Sequence, residues 1–320
     1  MRRAVAALGG NIFAPPDRPT SIDDEIRRVE EVCASLTPLL GDDVQLLVAH
    51  GNGPQVGHQL VRVEESRRHA CELPLDVCVA QTQGELGYLL ARALHGALAR
   101  LGSARRVAAL VTQVEVDAAD PAFAHPTKPV GPVLDGARAA ELRRAGFAIG
   151  ESPGRGARRI VPSPEPRGVV ESELVRALLE AGAVVVAAGG GGVPIVRSDH
   201  GHRGVEAVVD KDLTAALLAD ELGADLLLLV TDVPCAYSDF GMPDERRIAA
   251  MSVAEARALL AEGHFAPGSM GPKIEACARF ARLPGRRALV CDAPGIAAAL
   301  RGDAGTAVVC RQEARCRSVA

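Results

Sequence analysis

VQLLVAHGNGPQVG, residues 44–57, passes from a continuous apolar run through a glycine turn into the start of a helical pattern. The run 44–49 does not alternate. That is how a strand reads when both of its faces are covered. Glycine at the carboxyl end of such a strand lets the backbone approach an anion closely, and consecutive N–H groups there can cradle phosphate. Two further apolar runs end in the same way: AALGGN, residues 6–11, and VVAAGGGGVPIV, residues 185–196. Three glycine loops at one strand edge are stronger evidence for a ligand site than any one of them.

Working outward, apolar runs at 3–8, 44–49, 106–111, 183–188, 225–230, 287–291 and 306–310 predict strands. Amphipathic periods predict helices near 21–40, 55–68, 83–101, 171–181, 212–222, 252–262 and 272–283. Ser252 followed by Glu255 is a capping box. The alternation implies an α/β fold with a mainly parallel sheet between helical layers. Residues 117–168, rich in Pro, Gly and Arg, break the rhythm. A stretch this long and irregular is usually functional, and its interleaved Phe147, Ile149, Ile160 and Val161 favour a small protruding subdomain or lid over a linker.

The chain avoids asparagine and lysine. It has two asparagines, Asn11 and Asn52, and all but three of its 36 basic residues are arginine. The lysines are Lys128, Lys211 and Lys273, each beside Pro, Gly or Asp. Lysine persists in such a chain where a compact, rotatable point charge is needed and a planar fork will not fit. Asn tolerates turn conformations and offers an amide donor to an oxyanion. In VDKDL, Asp210 and Asp212 flank Lys211 and can orient it, with Asp212 the expected helix cap. His50 ends a strand and is read as a structural hydrogen bonder.

No GxxxxGK[ST] is present; Gly263 and Gly268 have the right separation, but Ser-Met follows. GNGPQVG is one residue off the dinucleotide fingerprint. A P-loop enzyme and an ordinary nicotinamide dehydrogenase are therefore disfavoured. Aromatics are 2% with no Trp, and the net charge is −4 with both signs interspersed. Nucleic acid and membrane surface are poor partners for such a chain. No apolar run approaches the ~20 residues of a bilayer span, and MRRAVAALGG reads as a first strand rather than a leader. The eight cysteines form no metal or disulfide spacing, so free thiols in a reducing cytoplasm are expected. Phosphoryl transfer suits glycine loops, lysines and Mg²⁺ brought with a nucleotide. An anionic acid acceptor needs no general base, and no Ser/His/Asp or Cys/His arrangement is evident.

ALGGN, HGNGPQVG, PTKPVGP, GRGARRIVPSP, GGGGVPIV, VDKDL, TDV and HFAPGSMGPKIEA, in this order, resemble the carbamate kinases of the amino-acid kinase superfamily. The resemblance covers essentially the whole chain. It implies a three-layer αβα sandwich, a homodimer, and a reaction between ATP and carbamate giving ADP and carbamoyl phosphate, run toward ATP in arginine or related nitrogen catabolism. It places the acid substrate in an N-terminal lobe, 1–210, and the nucleotide in a C-terminal lobe, 211–320. Gly9, Gly10, Asn11, Gly51, Asn52 and Gly53 are then expected around carbamate and the moving phosphoryl. Lys128, Lys211 and Lys273 neutralise phosphate, with Asp212 organising them. Asp210, Tyr237, Ala266, Pro267, Ser269 and Met270 line the nucleotide pocket, and no protein metal site is implied. Three positions depart from the family: Ala157 where Trp is frequent, Pro234-Cys235-Ala236 where Asp-Gly-Val is common, and Glu165 in place of a frequent Lys. Two alternatives keep the fold: another small acid as acceptor, and a nucleotide-binding regulator without catalysis.

Overall fold

The computed structural model describes residues 1–14, 21–152, 156–198 and 201–310. Cys316, and Gly154 and Arg155 of the GRGARRIVPSP motif, lie outside these residues. An eight-stranded sheet runs in the order Ala250–Ser252, Thr306–Val309, Arg287–Asp292, Leu226–Thr231, Arg2–Leu8, Val44–His50, Val184–Val186, Val107–Ala109. Six neighbouring strands are parallel, and the Ala250–Ser252 and Thr306–Val309 pair runs antiparallel to them. All seven expected strands are in this sheet. The eighth, Ala250–Ser252, is too short to show a pattern.

Side chains alternate across the pleat, and both faces are buried. Val5, Ala7, Leu47 and Ala49 pack with Leu179, Leu218, Ile274 and Phe280 on one side. Ala4, Ala6, Leu8, Leu46 and Val48 pack with Val29, Cys33, Leu90 and Leu94 on the other. Helices on both faces of one sheet make the three-layer sandwich, and explain why the strands read as unbroken apolar runs. The capping box forms in full: Ser252 accepts from the Glu255 N–H while the Glu255 side chain accepts from the Ser252 N–H.

One helix starts earlier than its period suggests, at Leu75 rather than 83, and continues to Arg100. Its buried stripe includes Cys78, Thr82 and Gln83, so polar residues at core positions disguised its first two turns. The helix Ile296–Arg301 was also unanticipated.

Residues 117–168 are more regular than their composition implies. Lys128–Leu134, Gly156–Val161 and Ile149–Ser152 form a separate antiparallel sheet, with the helix Gly136–Arg144 between the first strand and the last. This unit meets the main body where Gly57 approaches Gly131 so closely that a Cβ on Gly57 would lie 2.9 Å from the Gly131 Cα. A four-stranded sheet, Gly201–Gly204, Val193–Ser198, Gln113–Val116 and Pro166–Val169, is linked to it through Val193, which shares a buried apolar cluster with Val130 and Val161.

Candidate active site

Three adjacent strands of the main sheet end together, Leu8 pairing with both His50 and Val230. The chain leaves Arg2–Leu8 toward one neighbour and returns later to the other. The crevice at this switch point is the expected ligand position in such a sheet. A cleft of about 220 Å³ opens there. Gly9, Gly10 and Asn11 line it after the first strand, Gly51, Asn52 and Gly53 after the second, and Asp232 after Leu226–Thr231. The first two loops touch: a Cβ on Gly51 would stand 2.6 Å from the Gly10 nitrogen. Only glycine allows that approach.

Helices Gly53–Ser66, Lys211–Glu221 and Met270–Phe280 begin at the cleft, with Gly53, Lys211 and Ser269 on its wall. Their N-terminal N–H groups and dipoles favour an anion between them.

The three lysines converge here. Lys211 donates to Asp212 Oδ1 at 2.5 Å, Lys273 donates to Asp212 Oδ2 at 2.8 Å, and Lys128 reaches from the subdomain to Asp210 Oδ2 at 2.7 Å. Asp210 also accepts the Asp212 backbone N–H on Oδ1, at 2.9 Å. The helix cap is therefore Asp210, correcting the expectation of Asp212: a carboxylate one residue before the helix can reach the N–H two residues on. The Asp212 side chain is 4% exposed and those of Lys211 and Lys273 are 12%. Burial disfavours the charge on each of these three, yet the two ammonium groups hold Asp212 well below the usual carboxylate range. At Lys273 the attraction of Asp212 outweighs burial and raises its pKa; at Lys211 burial prevails, helped by Lys273, and lowers it.

His50 is buried beneath the loop with Nδ1 on the Gly51 carbonyl oxygen at 3.2 Å. Burial pushes it down to about 4, against that carbonyl and with the help of Lys211. It is a neutral packing group at physiological pH, and no histidine lines the cleft among the described residues.

The third glycine loop behaves differently from the sequence expectation. Gly189–Gly192 is buried, and Gly190, Gly191 and Gly192 all have positive φ. Cβ atoms there would collide with His50, Asn52, Val209 and Val114. These glycines let the second loop and the helix Lys211–Glu221 settle on them, and only Gly190 reaches the cleft. Dense packing accounts for the run.

Of the nucleotide-side candidates, Asp210 and Ser269 line the cleft. Ala266 and Pro267 sit on an exposed turn, Met270 packs against the core, and Tyr237 lies in a short hairpin against Phe240, ring centroids 5.6 Å apart. These four do not line it. Sequence reasoning passed over Thr231 and Asp232, although TDV at the carboxyl end of a strand was a signal for them. Of the departures, Glu165 forms an ion pair with Arg279 on the helix that carries Lys273, so an acid at 165 meets a base. Cys235 is buried, one of five buried thiols among seven described cysteines, all free.

Among the described residues no cluster of three His, Cys, Asp or Glu is arranged for a metal, and both oxygens of Asp212 are taken by lysines. No helix among the described residues is long and apolar enough to cross a membrane.

A sheet switch point with lysines and glycine loops around one anion site defines a phosphate-handling α/β protein. The amino acid kinase family model matches residues 2–292, and the chain belongs to that family. A carbamate kinase of Thermococcus kodakarensis is 40% identical over 313 residues, 97% of this chain and 99% of the relative. The carbamate kinase-like protein YahI of Escherichia coli is 43% identical over 310 residues, 95% of this chain and 98% of that one. The structure of carbamate kinase from Giardia lamblia bound to AMP-PNP superposes with a TM-score of 0.88 at 34% identity, covering 96% of this chain and 98% of that one.

Proposed function

We propose that this chain is a carbamate kinase, moving a phosphoryl group reversibly between ATP and carbamate. The convergence of three scarce lysines on Asp210 and Asp212 at the sheet's ligand edge is the observation that carries this reading. A carbamate oxygen attacks the γ-phosphorus in line with the leaving ADP oxygen. The new P–O bond forms as the bond to the β,γ-bridging oxygen breaks, and ADP leaves with that electron pair. Because the attacking oxygen is already anionic, no base is required, in keeping with a neutral, buried His50. Lys128, Lys211 and Lys273 spread positive charge over the phosphoryl oxygens, and Asp212 keeps two of them in place.

Gly9, Gly10, Asn11, Gly51, Asn52 and Gly53 would receive the carbamate and the transferred group, in the 1–210 half. The nucleotide, carrying Mg²⁺, would lie over the 211–320 half, its phosphates beside Ser269 and Asp210 and its base toward Tyr237, Ala266, Pro267 and Met270. The Giardia carbamate kinase bound to AMP-PNP supports nucleotide binding in this fold. In a cell the reaction would run toward ATP in arginine or related nitrogen catabolism in the cytoplasm. A homodimer is favoured by exposed Tyr88, Val111, Val170 and Leu174, the first two beside the edge strand Val107–Ala109; light scattering tests it. The activity test is ATP formation from ADP and carbamoyl phosphate, run beside a panel of other acyl phosphates. Absence of ATP with carbamoyl phosphate, or faster ATP formation from another acyl phosphate, would refute the assignment.

A further inference from the structure

We propose that Thr82 is a positioning residue for phosphoryl transfer, acting through Asn52. The proposal builds on the activity above and adds a residue to it. Thr82 lies on the helix Leu75–Arg100, completely buried and outside the cleft lining. Its hydroxyl donates to the Val79 carbonyl at 2.8 Å. The hydroxyl proton is thereby spent, so toward Asn52 the oxygen can only accept. It does so from Asn52 Nδ2, also at 2.8 Å.

That relay decides which way the Asn52 amide points. An amide's N and O are nearly the same shape, and only its partners distinguish them. With an acceptor at Thr82, the NH₂ end turns to Thr82 and the oxygen end turns away. The whole amide also lies against Gly190, where a Cβ would fall 2.2 Å from Nδ2 and 2.4 Å from both Cγ and Oδ1. Asn52 is 2% exposed, lines the cleft, and is the cap residue from which the helix Gly53–Ser66 starts. Fixing its side chain therefore fixes the Gly51–Gly53 loop, whose backbone touches the Gly10 loop.

Packing does not account for the hydroxyl. Valine has the same shape, is apolar, and would suit a site with no exposure. A threonine bonded back to a carbonyl in its own helix brings that helix no benefit. The hydroxyl makes sense through its second bond, the one to Asn52.

The chain's composition supplies the probe. With two asparagines, ¹⁵N-asparagine labelling yields two side-chain NH₂ signals: Asn11, which is exposed, and Asn52, which is buried. Thr82→Val is expected to shift the Asn52 signal and speed its exchange with solvent while leaving Asn11 in place. It should also lower kcat for ATP formation roughly tenfold to a hundredfold with KM for ADP unchanged. Thr82→Ser, which keeps the hydroxyl, should restore both. An unmoved Asn52 signal, an unchanged kcat in Thr82→Val, or a Thr82→Ser variant as impaired as Thr82→Val would overturn the proposal. Wild-type protein without turnover would sink the activity itself, whereas the resonance arm judges the Thr82–Asn52 link independently of turnover.

Discussion

Replacing Asp212 with Asn keeps the shape of the cluster's centre and removes its charge. In the native protein each carboxylate oxygen takes one ammonium group, at 2.5 and 2.8 Å. The amide offers one acceptor oxygen; its NH₂ end would face the other lysine donor to donor. Breaking a buried ion pair from one side costs about 3–5 kcal/mol. Side-chain exposures of 4% and 12% leave little solvent to compensate. At roughly 2 °C per kcal/mol for a large domain, Tm at pH 7 should fall by about 6–10 °C. The pH dependence separates charge from shape. The folded-state pKa of Asp212 lies below its ordinary 3.8, so its contribution is present above pH 4 and is lost as the pH falls toward the folded value. The gap between wild type and Asp212→Asn should therefore narrow in acid. Without Asp212, burial pushes both lysines down, so the variant should regain stability as pH rises toward the ordinary lysine value of 10.5. Turnover should fall by at least about 10², because the ammonium groups lose the anchor that aims them. Tm against pH by scanning fluorimetry and the coupled ATP assay measure both effects. An Asp212→Asn protein equal to wild type in Tm and turnover at pH 7 would show that the carboxylate does not organise the lysines.

Lys128→Arg and Lys273→Arg should each lower kcat by about 10²–10³ in the ATP-formation assay while leaving the fold intact by circular dichroism, because the planar fork cannot occupy the place of a point charge. Gly51→Ala puts a Cβ 2.6 Å from the Gly10 nitrogen, against backbone that cannot yield. A loss of about 1–3 kcal/mol in urea unfolding is expected, with a large fall in turnover; Gly53→Ala, with nothing within 4 Å of its Cβ, should leave stability unchanged. Glu25 is buried against Gln55, and burial, reinforced by Glu85 and opposed by the Gln55 bond and Arg62, raises its pKa above 4.5. A raised acid favours the folded state only while protonated, so Glu25 costs stability as pH rises through its folded value. Glu25→Gln should flatten that decline and raise Tm at pH 8, since its amide can also donate to the buried, unpartnered Gln55 Oε1. A Tm at pH 8 below that of wild type would contradict this.

Much of the sheet could be read because its strands are buried on both faces. Val5 and Ala7 serve one core and Ala4, Ala6 and Leu8 the other, so nothing polar interrupts the run. The helix from Leu75 was harder, since Thr82 and Gln83 occupy core positions for hydrogen bonds that only the folded neighbours explain. Gln83 satisfies the Thr112 N–H and carbonyl, a partner 29 residues away that no local period reveals. The subdomain was visible as an anomaly of composition but not as a sheet, because Pro129, Gly131 and Pro132 mask the strand Lys128–Leu134. The lysines were found by scarcity, and their meeting point could be inferred only from the family resemblance. That Asp210 rather than Asp212 caps the helix depends on a two-residue reach that a list of residues does not settle.

The pairing of those lysines also answers why arginine did not replace them in a chain otherwise given over to it. Asp212 serves two cations with two oxygens, and it is almost closed to solvent. Two planar guanidinium groups brought to one buried carboxylate would each seek both of its oxygens and would crowd out the glycine backbone at Gly51, whose absent Cβ would lie 3.2 Å from the Lys211 side chain. An ammonium group on a flexible stem needs one oxygen, can turn on its axis, and can share its remaining hydrogens with a phosphate. The two aspartates thus keep the cations compensated when no phosphate is present, avoiding the repulsion of three like charges in a half-buried cleft. When an anion arrives between the glycine loops, each lysine can keep its carboxylate and still offer an N–H to it. The glycines and the lysines are one requirement seen twice: the backbone must come close, and the charge must be small enough to come with it.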